Sequence, residues 1–220
     1  MQFIEIPTEQ TTAITDLILA AVALHGIFRI YKSGFKIDRY KSLIWIWAFS
    51  FLATAAFLGS IAHGIKMPEA INKIIWHPLN FLLGMTVAFF LIGVIYDLTG
   101  NKLKRWLIVL IIFSGIVFFS ITVIFQKLFF VFIIYESVAM IIALVSYVVL
   151  QVKKTLPGAS IMALGILISI IAAVVQSIPA FRLTLFWEFD HNGLFHIIQI
   201  LGLLLLFHGI VKSFRIKSAK

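Results

Sequence analysis

No cysteine occurs in the 220-residue chain. Its absence excludes structural disulfides, thiolate metal sites and a cysteine nucleophile. Charge is scarce as well. Nine Asp and Glu stand against 18 Lys and Arg, and charged residues make up 12% of the chain, where soluble proteins carry about 25%. That is too little polar surface to clothe a water-soluble globule. The short alternating strands that would signal a membrane β-barrel are missing. So is an internal repeat, which weighs against transporters built from repeated halves. The opening MQFIEIPTEQ has two acids and no base, so it lacks the basic start of a cleavable signal peptide.

What is abundant is hydrocarbon. Hydrophobic residues make up 62% of the chain and the mean hydropathy is +1.09. The apolar residues fall in runs of about twenty, the length at which an α-helix crosses a bilayer. Helices keep their backbone hydrogen bonds internal, as hydrocarbon requires. Seven runs are predicted, at 11–31, 43–65, 77–98, 106–125, 128–151, 157–180 and 193–213. The connections between them are short, and residues 1–220 form a single all-α transmembrane domain. The turn at Gln126–Lys127 is the tightest; without it the count becomes six and the ends change sides.

The basic residues sit between the runs, which fits membrane anchoring and topology better than nucleic-acid binding. Fourteen of the 18 fall on one side, in the odd-numbered connections and the C-terminus: Arg29, Lys32, Lys36, Arg39, Lys41, Lys102, Lys104, Arg105, Lys153, Lys154, Lys212, Arg215, Lys217 and Lys220. The positive-inside rule then puts the N-terminus outside and the C-terminus in the cytoplasm. Compact loops and the lack of cysteine point to a bacterial cytoplasmic membrane.

Polar residues within the runs concentrate at the outer ends. Glu9, Thr12, Thr15 and Asp16 open the first helix, Ser60 and His63 close the second, and His77 and Asn80 open the third. Glu136 lies about 12 Å into the fifth helix at 1.5 Å per residue. Gln176 and Ser177 close the sixth, and Asp190, His191, Asn192, His196 and Gln199 lead into and open the seventh. Four of the six histidines, His63, His77, His191 and His196, belong to this layer. Neutral imidazole is the commonest metal ligand, and three protein ligands plus a water make the usual catalytic zinc site. Asn192, His196 and Gln199 share a helix face. His191 and His196 lie about 140° apart on an ideal helix, so they share a metal only if His191 sits in an irregular turn. Each group also has a plain structural reading: an interfacial side chain for a lone histidine, a cap for Asp190 or Asn192, a buried hydrogen-bonding group for Glu136.

The order of these features resembles the seven-helix CREST superfamily, which includes alkaline ceramidases and adiponectin-receptor-like proteins. The stretch Glu9-Gln-Thr-Thr-Ala-Ile-Thr15-Asp16-Leu17 is similar to the ceramidase pattern Glu-x-x-Asn-Thr-x-Ser-Asn-Leu. Gly59-Ser60-Ile-Ala-His63 is one residue short of the family's Ser-x-x-x-His. Asn192-Gly-Leu-Phe-His196 is similar to its His-x-Leu-Trp-His stretch on helix seven. Two positions depart. The first histidine of that pair falls on Asn192, with His191 one place off, and the family's helix-three Asp falls near Trp76 or His77.

The resemblance implies a zinc-dependent membrane hydrolase acting on a lipid, at an amide bond. His63 and His196 would bind zinc with His191 or His77 as third ligand, Ser60 would steady the oxyanion, and His77 or Glu136 would move protons. Glu9 and Asp16 would tie the first helix to the cluster, with calcium as a second cation. The alternative expectations are a non-enzymatic seven-helix receptor or sensor on the same scaffold, and a haem-binding or proton-coupled membrane protein. A retinal pigment is unlike this chain, because helix seven has no lysine before Lys212.

Overall fold

The computed structural model describes residues 2–100, 103–125, 129–184 and 186–215. Among them are seven α-helices: α1 (Pro7–Gly34), α2 (Arg39–Gly64), α3 (Glu69–Thr99), α4 (Arg105–Ile124), α5 (Phe129–Val152), α6 (Ala159–Gln176) and α7 (His191–Ser213). All seven are long and apolar enough to cross a membrane, and each coincides with one predicted run. The turn at Gln126–Lys127 lies outside the described residues, as do Lys102, Lys217 and Lys220.

A few residues set where the helices begin and end. Pro7 opens α1, where its missing N–H costs nothing. The Asp38 carboxylate caps α2 by accepting from the Lys41 backbone N–H at 2.9 Å. Gly100, with φ of 59°, ends α3 in the left-handed conformation that favours glycine. Asp190 caps α7, accepting from the backbone N–H groups of Asn192 and Gly193 at 3.0 and 2.9 Å.

Two boundaries differ from the hydropathy reading. α3 starts at Glu69 instead of near 77, because Glu69 and Lys73 form an i,i+4 ion pair at 2.8 Å that supports a polar first turn. Its 31 residues extend about 46 Å, longer than the roughly 30 Å of a bilayer's hydrocarbon. The chain after α6 is not helix to residue 180. A two-residue hairpin forms there instead, with β1 (Leu183–Thr184) antiparallel to β2 (Glu188–Phe189).

Six helices form a closed ring. α1 packs on α2 and α7, α2 on α3, α3 on α5, α5 on α6, and α6 on α7. α4 lies outside the ring, packed chiefly on α3 and burying little more than Ile111, Gly115 and Phe118. The closest seam is α6 against α7, where small residues let the backbones approach. A methyl group added at Gly165 would fall 2.7 Å from the Gly202 carbonyl oxygen, and one at Gly202 would fall 2.6 Å from Ser169 Oγ.

At the end of the ring away from the N-terminus, a polar knot joins four helices. Lys41 Nζ on α2 lies 2.5 Å from Asp97 Oδ1 on α3, with both side chains nearly inaccessible. Lys41 also donates to Ser213 Oγ on α7 at 2.7 Å, and Tyr147 OH on α5 donates to Asp97 Oδ2 at 3.0 Å. The sequence presents Lys41 as one more topology charge; the fold makes it a buried partner. Removing one member strands the other charge, which typically costs about 3–5 kcal/mol. Lys41→Ala is therefore expected to lower stability by about that amount in thermal or denaturant unfolding of the detergent-solubilised protein. The double substitution Lys41→Met with Asp97→Leu, which strands no charge, is expected to recover more than half of the loss.

Candidate functional site

Helical periodicity turns one stripe of each ring helix inward, and these stripes enclose a single large cavity of about 600 Å³. It runs along α2 from His63 to Trp45, eighteen residues and therefore about 27 Å. The end nearer the N-terminus is polar, with His63 from α2, Lys73, His77 and Asn80 from α3, Gln176 from α6, and His191 and Asn192 from α7. The rest is largely apolar: Phe49, Leu52, Phe90, Leu203 and Leu206 line it, and Trp45 and Phe90 meet edge to face at 5.9 Å near its far end. The Lys41–Asp97 pair follows beyond that end, since Lys41 is one turn from Trp45 on α2.

Six of the eight predicted site residues lie on this wall: Asp16, His63, His77, Glu136, His191 and His196. Four histidines scattered over α2, α3 and α7 are thus brought to one cavity. Ser60 is not on the wall. Gly59 and His63 are, and Ser60 is turned about 100° from Gly59 on the helix; its expected role at an oxyanion loses its geometric basis. Glu9 stands behind the wall, where it accepts a hydrogen bond from His63 Nδ1 at 2.7 Å.

The polar groups divide into two sets. The first is internally paired and belongs to α1 and its neighbours. Thr15 Oγ1 lies 3.1 Å from His196 Nδ1, and Asp16 Oδ1 lies 3.3 Å from His196 Nε2. Thr12 donates to Asp190 at 3.2 Å, and Thr11 donates to the Glu188 carbonyl at 2.8 Å. With Glu9 on His63, these bonds strap α1 to α2, to the hairpin and to α7. Gly59 is part of the strap, since a methyl there would sit 2.7 Å from Asp16 Oδ2.

The second set consists of atoms with no partner among the described residues. Glu136 Oε2, Gln176 Oε1, Gln199 Oε1, His191 Nδ1 and Trp45 Nε1 are buried and make no hydrogen bond, and all five residues line the cavity. A buried polar atom without a partner costs about 1–3 kcal/mol, so such atoms are few and call for an explanation. Their gathering on one cavity marks them as groups held ready for something that enters it. Gln176 and Gln199 belong to the polar layer legible in the sequence, but nothing in their spacing distinguishes them from capping or packing residues. Trp45 carries no sequence signal at all.

Among the described residues, no three histidine, aspartate or glutamate side chains converge to hold one ion. His191 is the first residue of regular α7 rather than part of an irregular turn, so it stays about 140° around the helix from His196. His63 Nδ1 and both nitrogens of His196 already face partners. Glu9 and Asp16 turn to two different histidines, His63 and His196.

A family model described as a family of unknown function (DUF6962) matches residues 11–213. The chain belongs to that family. The match takes in all but the first four residues of α1 and runs to the end of α7, so it includes the cavity and every member of the two polar sets except Glu9. No curated protein and no solved structure matches the chain.

The two sets respond differently to substitution. Asp16→Ala removes a partner from buried His196 and is expected to lower stability by about 1–3 kcal/mol. Glu136→Gln breaks no bond within the protein and is expected to leave the unfolding midpoint unchanged or slightly raised. Thermal unfolding of both variants in one detergent checks the contrast.

Proposed function

We propose that the protein crosses the membrane seven times, N-terminus outside and C-terminus in the cytoplasm, and binds one amphiphilic lipid inside the helix ring as a receptor or sensor. The observation that carries this reading is the cavity: one polar end, one long apolar barrel, and five unpartnered polar atoms on its wall. Its volume lies within the range of about 300–1,000 Å³ found for small-molecule sites. The polar end lies on the side of the N-terminus, so the lipid's head would rest at the outer leaflet and its tail would point towards the cytoplasmic face.

The strap on α1 suits a binding role. It fixes α1, α2 and α7 around the mouth without using the acceptors on α5, α6 and α7. Binding to that second wall would change the packing of α5 and α6, and α5 also carries Tyr147 of the polar knot below. A receptor needs such a connection between an outer site and an inner face.

Hydrolysis of a lipid amide by a CREST-like enzyme is the second reading. One observation favours it: four histidines open on the same cavity. It requires a metal site that the described residues do not form, so the binding role takes precedence.

Two measurements test these readings. Native mass spectrometry of the protein released from nanodiscs is expected to show one retained lipid per chain. Ala56→Phe, which fills the cavity at the level between His63 and Leu52, is expected to lower that occupancy at least fivefold without unfolding the protein. Equal occupancy in both proteins would refute the intramembrane cavity as the binding site. Elemental mass spectrometry of protein purified without chelators or a metal-affinity tag is expected to find zinc well below one per chain. Stoichiometric zinc, lost in both His63→Ala and His196→Ala, would put hydrolysis first.

A further inference from the structure

Three of the five unpartnered atoms on the cavity wall share one chemistry, apart from the indole N–H of Trp45 and Nδ1 of His191. Glu136 Oε2, Gln176 Oε1 and Gln199 Oε1 are all hydrogen-bond acceptors, and the three residues are 8%, 7% and 8% exposed. They come from three adjoining helices, α5, α6 and α7. They also line the same cavity, towards the end where α6 stops and α7 begins. Gln176 donates to Asn192 on α7 at 3.4 Å, and Gln199 lies two turns below Asn192 on the same helix face. Glu136 faces α6 at the level of Ala173 to Ser177, with which it encloses a smaller cavity of about 170 Å³ between α5 and α6.

The charges around this layer complete the pattern. Lys73 lines the same cavity at its mouth, where it is exposed and paired with Glu69 at 2.8 Å. Asp16, His63 and His196 face the layer from the opposite wall, engaged with one another's neighbours. Glu136 has no basic partner among the described residues. A phosphate or carboxylate head would therefore meet acceptor oxygens and a buried carboxylate. A primary ammonium has three N–H donors and no acceptor, which matches three acceptor oxygens in number and sign. A buried carboxylate is costly unless it is paired, and an ammonium supplies the missing charge.

We propose that the layer formed by Glu136, Gln176 and Gln199 binds the ammonium head of a single-chain long-chain amine, with Glu136 as its counter-ion and the chain lying along Leu52, Phe90, Leu203 and Leu206. The inference rests on the lipid-binding reading above and adds the class of ligand. Glu136 becomes a binding residue in place of the proton-transfer role expected from the sequence.

The test compares three probes of equal chain length on protein in nanodiscs: hexadecylamine, hexadecanol and palmitate. Apparent affinity is read from the ligand-dependent rise in unfolding midpoint, since a ligand that binds only the folded state stabilises it in proportion to ln(1 + [L]/Kd). Ala56→Phe serves as the control for effects of the probe on the membrane itself. The wild type is expected to bind hexadecylamine at least tenfold more tightly than hexadecanol and to show no shift with palmitate. Glu136→Gln is expected to weaken the amine at least tenfold and to leave hexadecanol unchanged. Gln199→Leu, an independent variant, is expected to weaken the amine while Glu136 remains in place. Equal binding of amine and alcohol, each abolished by Ala56→Phe, would overturn the ammonium site and leave the lipid-binding reading standing. Shifts no different from those of Ala56→Phe with all three probes would overturn both.

Discussion

A polar side chain among hydrocarbon must find a partner, and that constraint organises this protein. The outer faces of the helices are apolar, with Val109, Phe113, Ile141 and Leu201 among the exposed residues. Most strongly polar groups on the membrane-length runs turn inward and collect in two layers, with His25 and His208 left exposed. The layer away from the N-terminus is closed: Lys41, Asp97, Tyr147 and Ser213 answer one another across four helices. The layer near the N-terminus is closed on one side and open on the other.

That asymmetry separates scaffold from site. On the α1 side every strong hydrogen-bonding group that shapes the mouth has a partner, so Glu9, Asp16, His63 and His196 hold helices together. On the α5–α7 side three acceptors and an imidazole nitrogen remain unpaired at the cavity wall. Proteins depart from local satisfaction chiefly at functional positions, and here the departures coincide with the one large internal space described. The rigid, paired wall positions a wall that is ready to pair.

The same division gives the histidines partners that the sequence alone does not reveal. Their clustering at one end is real, and all four reach the cavity. Metal binding needs more than a shared end of a bundle: it needs ring nitrogens at matching angles and free of other partners. The regular start of α7 sets His191 and His196 apart, Glu9 holds Nδ1 of His63, and Thr15 and Asp16 face the two nitrogens of His196. Lys41 is a further case. Next to Arg39 and Lys36 it belongs to a basic stretch, and only the approach of Asp97 turns it into part of the core.

The sequence by itself determined the number of helices, their extents to within a few residues except at the start of α3, and the concentration of polar groups at one end. These properties are local: apolar run length, capping residues and helical period act within a few turns of chain. Only the tertiary structure decided which groups meet. Glu9 and His63 are 54 residues apart, Thr15 and His196 are 181 apart, and both pairs close within hydrogen-bond distance. Whether a buried carboxylate is satisfied or left open depends on such contacts. Helix spacing sets the face a residue occupies and carries no information about what the facing helix presents to it.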